Sequence, residues 1–291
     1  TPPDSVGAVI LSSGVGGHAG WWWWPYQCHV GGQWQTCYTK QAAWWSDDGS
    51  VFRNLQISGI EYSVAADIEA DSIGGYGWYD DASGNVYSRA FLWRLPDFTR
   101  TALHPADVRN SSVSAIDGER QFGSITTPFP FATHAAGWSG SAASFVDRHP
   151  SGASRSWVTG AGHGQQVGSA YFGDVQQPTL WPGRASSARS LLPSSATSAS
   201  LNDADGGVQV GAASLPGGSH ATAWRGAGDD YVDLHPMLPV VYASSIARAV
   251  FVDDVTGAVR VVGSAYDPVA ERSVAVSWHW PALEERAADL N

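Results

Sequence analysis

A three-part phrase recurs along this chain and limits what it can fold into. Its fullest form, from Val210 to Pro236, reads VGAASLPGGSHATAWRGAGDDYVDLHP. The parts are a small-residue segment at Val210-Gly211, an Ala-x-x-Trp segment from Ala221 to Trp224, and a Val-Asp-Leu-His-Pro exit from Val232 to Pro236. Aligning the glycine gives Gly16, Gly74, Gly123, Gly168, Gly211 and Gly263, at intervals of 58, 49, 45, 43 and 52 residues. Each glycine is followed by an aromatic segment, ending at Trp45, Trp93, Trp138, Trp181, Trp224 or Trp278. Exits follow at Asn54-Leu55, His104-Pro105, His149-Pro150, Leu192-Pro193, His235-Pro236 and Asp289-Leu290, and Ser-rich segments beginning at Ser5, Ser63, Ser112, Ser156, Ser198 and Ser245 precede the glycines.

Four short strands per unit cannot bury their faces alone, so each unit must stack on its neighbours. The pattern predicts an all-β chain, a six-bladed β-propeller of four-stranded blades. It would form one domain over 1–291, with units at about 1–57, 58–105, 106–150, 151–193, 194–236 and 237–291. The glycine is expected to end the second strand. Asp117-Gly118 and Asp205-Gly206 suit hairpin turns between first and second strands, and Asp48-Gly49 suits one after a third. The His-Pro stretch is expected to cross to the next blade. The one helical stretch is Pro281 to Ala288.

The blade grammar is similar to that of WD-repeat propellers, although the chain has no Trp-Asp dipeptide. The fuller pattern, Ser-x-Ala, Asp-Gly-x-x-Gln-Val-Gly, His-Ala-x-x-Trp and Asp-Leu, resembles the bacterial extracellular HAF repeat over most of the chain. His134-Ala135 and His220-Ala221 match the naming motif, whereas Arg89-Ala90 and Gln41-Ala42 depart from it. The resemblance implies export and a propeller-like array, and no activity.

The formal net charge of -11, with 16 scattered basic residues, argues against nucleic-acid binding. No run approaches the roughly 18 apolar residues of a membrane span. The opening Thr1-Pro-Pro-Asp is what a processed secretory protein would show, so a secreted, extracellular or periplasmic location is expected. Cys28 and Cys37 are expected to form a disulfide closing a small loop, worth about 2–3 kcal/mol, with two free thiols as the plain alternative. A zinc site needs more ligands than the neighbouring His18 and His29, and no metal or other cofactor is expected. Asn202-Asp203-Ala204-Asp205-Gly206 resembles part of a calcium loop but lacks the later bidentate Glu and sits where a plain turn is expected.

Residues that recur in every unit are expected to support the fold, including the Trp series, His104, His134, His149, His220 and His235. Function is sought where units depart from the repeat. The first unit carries a long insertion between Gly17 and Gln41, expected as a loop, that contains Trp22, Trp23, Trp24, Tyr26, His29, Trp34 and Tyr38. The second unit has the next longest, Tyr76 to Tyr87, with Trp78, Tyr79, Asp80 and Asp81. Aromatic platforms beside amides and carboxylates suit sugars, whose C–H faces stack on rings while hydroxyls hydrogen-bond. The alternative for the Trp run is that, as a strand, it turns half of its rings into the core. Trp157 interrupts a small-residue strand as a further ligand contact or as a channel plug.

The leading expectation is a glycan or other small extracellular ligand bound by these loops. A carbohydrate-active enzyme is the alternative. A glycoside hydrolase needs two facing carboxylates, for which Asp80 or Asp81 with Glu61 are candidates. A polysaccharide lyase needs a base and a charge-neutralising cation, for which His29 or Tyr87 with Arg109 or Arg155 are candidates. A protein-interaction scaffold anchored by the Trp-rich loop is the third reading.

Overall fold

The computed structural model describes residues 7–14, 17–30, 32–81, 83–183 and 187–280. Gly16, the opening Ser5 segment, the helical stretch from Pro281 and the exit at Asp289-Leu290 lie outside them. The described strands form six antiparallel sheets, five of four strands and one of three, each in simple chain order. The first sheet is β1 (Ala8–Gly14), β2 (Gly17–Val30), β3 (Gln33–Trp45) and β4 (Phe52–Asn54); the second is β5 (Tyr62–Glu69), β6 (Ser72–Asp80), β7 (Val86–Arg94) and β8 (Thr99–Ala102). The third begins at β9 (Asn110–Asp117), the fourth at β13 (Arg155–Gly162), the fifth at β17 (Ala199–Asp205) and the sixth at β21 (Ser244–Val252). The chain divides into two compact units, Thr1–Asp147 and Arg148–Asn291, with three sheets in each.

The recurrent glycine does not end a strand. It lies within the second strand of its sheet, opposite a bulge in the first. In the fifth sheet Leu201 pairs with Gly211 and Asp203 with Val210, leaving Asn202 as the extra residue. The bulge drives a carbonyl toward the glycine, and a Cβ at Gly211 would lie 1.9 Å from the Ser200 oxygen. Gly123, Gly168 and Gly263 meet the same obstacle at 2.0, 2.1 and 2.0 Å. In the first two sheets the bulge glycines are Gly20 and Gly75, each 2.0 Å from such a carbonyl, so alignment on Gly16 and Gly74 was out of phase.

Two residues before each bulge glycine, the second strand faces the recurrent Trp of the third. Gln121 pairs with Trp138, Gln166 with Trp181 and Gln209 with Trp224. Those three indoles are buried, as are Trp93 and Trp278. A ring of this size hides roughly 200 Å² of apolar surface, worth on the order of 4–6 kcal/mol before entropy. The cores lie between consecutive sheets of each unit, as where Ala42, Leu55 and Ile57 meet Ile68, Phe91 and Trp93.

The motif histidines and serines join one sheet to the next. Ser111 Oγ accepts the Ala90 N–H (2.9 Å) and bonds His104 Nδ1 (2.8 Å); Ser245 Oγ accepts the Ala221 N–H (3.0 Å) and bonds His235 Nδ1 (2.8 Å). His134 and His220 pair with Asp147 and Asp233 of their fourth strands, at 2.8 and 2.7 Å. The first sheet makes the same links with neutral amides. Gln41 accepts from Asn54 (2.8 Å), and Gln56 accepts from Ser63 (2.5 Å), whose Oγ in turn takes the Ala42 N–H.

Candidate functional site

The insertion in the first unit is not a loop. β2 and β3 run on past the sheet as one ladder, from His18 opposite Trp45 to Val30 opposite Gln33, with the turn at the tip. The run of tryptophans is thus the strand that the sequence offered as the alternative to a loop, with successive side chains on opposite faces. Trp22 turns into the core against Trp45 and Phe52 and is buried; the expectation that it contacts ligand is corrected. Trp21 and Trp23 share the other face, edge to face at 5.3 Å. Farther out, Cys28 and Cys37 form a disulfide with Cα atoms 5.8 Å apart.

The hairpin and the connection into the second sheet enclose a cavity of about 520 Å³. Trp23, Trp24, Tyr26, Tyr38 and Lys40 line it from the hairpin, and Glu61 and Tyr62 from the far side. Thr39 ties the walls together by donating its hydroxyl to the Glu61 carbonyl. Tyr62 stacks on Trp78 at 4.6 Å and 13°, which extends the aromatic surface onto β6. Trp24, Tyr26, Tyr38 and Trp78 are exposed, so solvent reaches the rings directly. The structure thus brings together Trp23, Trp24, Tyr26, Tyr38 and Glu61, with Trp78 adjoining.

The other sequence candidates fall elsewhere. Trp34 sits near the hairpin tip, 72% exposed, with His29 5.2 Å away, and neither lines the cavity. Tyr76 to Asp80 and Tyr87 belong to β6 and β7, so the expected second loop shrinks to residues 81–85. Tyr79 and Tyr87 stack at 5.7 Å. Asp81 accepts from the Asn85 side chain and from the Asn85 and Ser83 backbone, which hold its carboxyl below the usual range and give it to the turn. Asp80 is exposed and outside the cavity, so among the lining residues Glu61 has no partner carboxylate. A second cavity, about 480 Å³, brings Tyr87 and Arg109 together with Phe131; the guanidinium lies 5.1 Å from the Tyr87 ring and 4.5 Å from that of Phe131. Arg155 and Trp157 lie in the other unit, both against Tyr171.

In the segment that resembles a calcium loop, the aspartates serve the fold. Asp203 accepts from the backbone of Ala204 and Val250, and Asp205 from Val252 and His163, so both carboxylates are used within the fold. Among the described residues no His, Cys, Asp and Glu side chains cluster as metal ligands.

Sequence reasoning missed Lys40, whose ammonium lies 4.3 Å from the Trp21 ring and 5.3 Å from those of Trp23 and Tyr62. A signal was present: Lys40 is the only lysine in the chain. Gln41 and Gln56 also line the cavity, but their amides serve the fold.

Fold and site together define an all-β repeat protein of six antiparallel sheets, with an aromatic cavity beside an extended hairpin. No protein-family model and no curated protein matches the chain. Among solved structures it is similar to an acylaminoacyl peptidase of Pyrococcus horikoshii, at 7% identity over 98% of this chain and 53% of that one, TM-score 0.55. It is also similar to a puromycin-hydrolysing peptidase of Mycobacterium tuberculosis, at 11% identity over 91% and 44%, TM-score 0.52. The chain spans about half the length of these two, and at such identities the likeness extends to the fold alone. The β-propeller domain of the trilobed protease of Pyrococcus furiosus also matches, at 8% identity over 94% and 96%, TM-score 0.43.

Proposed function

We propose that the chain is a six-bladed β-propeller working outside the cytoplasm, and that the cavity beside the hairpin binds a carbohydrate. The observation that carries this is the lining itself. Two tryptophans and three tyrosines surround about 520 Å³, with one cation and one carboxylate among them. Flat apolar rings beside a few polar groups match the two faces of a sugar. Six sheets with one internal grammar support the propeller reading, and the disulfide supports an oxidising compartment. Among the described residues no helix is long and apolar enough to cross a membrane.

The test is affinity electrophoresis against a panel of soluble polysaccharides, with release of reducing ends and ultraviolet absorbance of unsaturated products followed in parallel. Retardation without product is expected. Trp24→Ala should weaken binding by about tenfold or more, the loss of one ring contact, while Trp34→Ala, outside the cavity, leaves it unchanged. Retention of affinity in Trp24→Ala would remove the reading. The paired Tyr87 and Arg109 favour a lyase as the second reading, and an unsaturated product lost in Tyr87→Phe would establish it.

A further inference from the structure

All but one of the chain's 16 basic residues are arginines. Other cations that lie over rings are arginines too: Arg89 over Tyr79, Arg109 over Phe131 and Arg155 over Tyr171. An arginine spreads its charge over a plane that stacks on a ring, whereas a lysine presents a compact point charge with three donors. The single lysine is placed in the cavity beside the hairpin, opposite Trp23 in the ladder and among three rings.

The rings hold the Lys40 stem and favour its charge without using its N–H groups as a carboxylate would. Glu61 lines the same cavity, yet among the described residues no carboxylate lies within ion-pair distance of Lys40. A half-buried ammonium is therefore presented to whatever enters. We propose that Lys40 is the specificity-determining residue of this site and that its ligand carries a carboxylate: a uronic acid set among neutral sugars. The inference rests on the carbohydrate reading above. One local cation in a protein of net charge -11 suits a sparse anion, because a dense run of sulfates would be repelled by the surrounding field.

The experiment compares glucuronoxylan and hyaluronan, whose uronic acids alternate with or are set among neutral sugars, with the same polymers after reduction of their carboxyls to alcohols. For at least one pair the parent protein should bind the acid form roughly tenfold or more tightly, and that margin should shrink as salt is raised. Lys40→Met should bind both forms alike, and Lys40→Arg should keep a preference for the acid. Because the chain has one lysine, reductive methylation with labelled formaldehyde, which keeps the charge, places one side-chain reporter in the cavity, in addition to the label on the terminal amine. Its resonance should move on saturation with the acid form and stay with the reduced form. Equal affinity for both forms, or an unmoved resonance at saturation with acid, overturns the inference and leaves the carbohydrate reading standing. Binding of neither form removes both.

Discussion

At the scale of single residues, the bulge glycines carry the strictest demand. A methyl group at Gly211 would overlap a backbone oxygen, which cannot swing aside as a side chain could. Gly211→Ala should lower stability by about 1–3 kcal/mol or more, read as a shift in the urea midpoint. Gly118→Ala is the contrast: it sits at φ +59 in open space and should cost only the left-handed penalty, about 1 kcal/mol. The recurrence of a glycine was legible in the letters, but its phase was not. Gly74-Gly75 offers two candidates, and only the bulge opposite Gly75 separates them.

At the scale of elements, the hairpin of β2 and β3 is two strands whose outer half leaves the sheet. Near its base Trp22, Ala43 and Trp45 pack into the core, whereas from Tyr26 to Tyr38 most side chains are exposed and the disulfide braces the pair. Closing so short a loop restricts the open form by about 2–3 kcal/mol. Replacing Cys28 and Cys37 by serine should therefore speed amide exchange between Tyr26 and Tyr38 while the main unfolding transition stays in place. A large drop in that transition would show that the tip supports the fold. The insertion was legible from its length and its tryptophans. The choice between loop and strand was not, because a run of four tryptophans fits either until the facing residues are known, and the structure takes the strand alternative.

At the scale of the whole molecule, stability should depend on pH through the links between sheets. Burial lowers the pKa of His104, with the Arg89 charge adding to it, and burial followed by the His220 charge lowers that of His235. A histidine whose folded pKa is depressed contributes stability above its unfolded value of about 6.5, and that contribution is lost as pH falls toward the folded value. The melting temperature should drop as pH falls below about 6.5. His104→Gln with His235→Gln should flatten that segment, since Gln56 already makes the equivalent bond to Ser63. A second loss should follow below the ordinary aspartate value of 3.8, as turn aspartates protonate. Asp48, held down to about 2 by Ser46 and Ser50, would be among the last. A melting temperature flat from pH 7 to 5 would contradict this account.

The sequence by itself determined the repeat, the all-β class and the buried tryptophan series, because these follow from local periodicity and from residues that each unit must reuse. It also marked the first unit as the exceptional one. Tertiary structure alone decided which aromatic residues face solvent: Trp22 and Trp24 share one face of β2, but packing on Trp45 and Phe52 buries Trp22 while Trp24, farther out, stays exposed, and Trp23 takes the other face with Trp21. It also decided that Lys40 meets Tyr62, a residue of the next sheet, 22 positions away. Packing of one sheet on another sets such a contact, and no periodicity within a single strand encodes it.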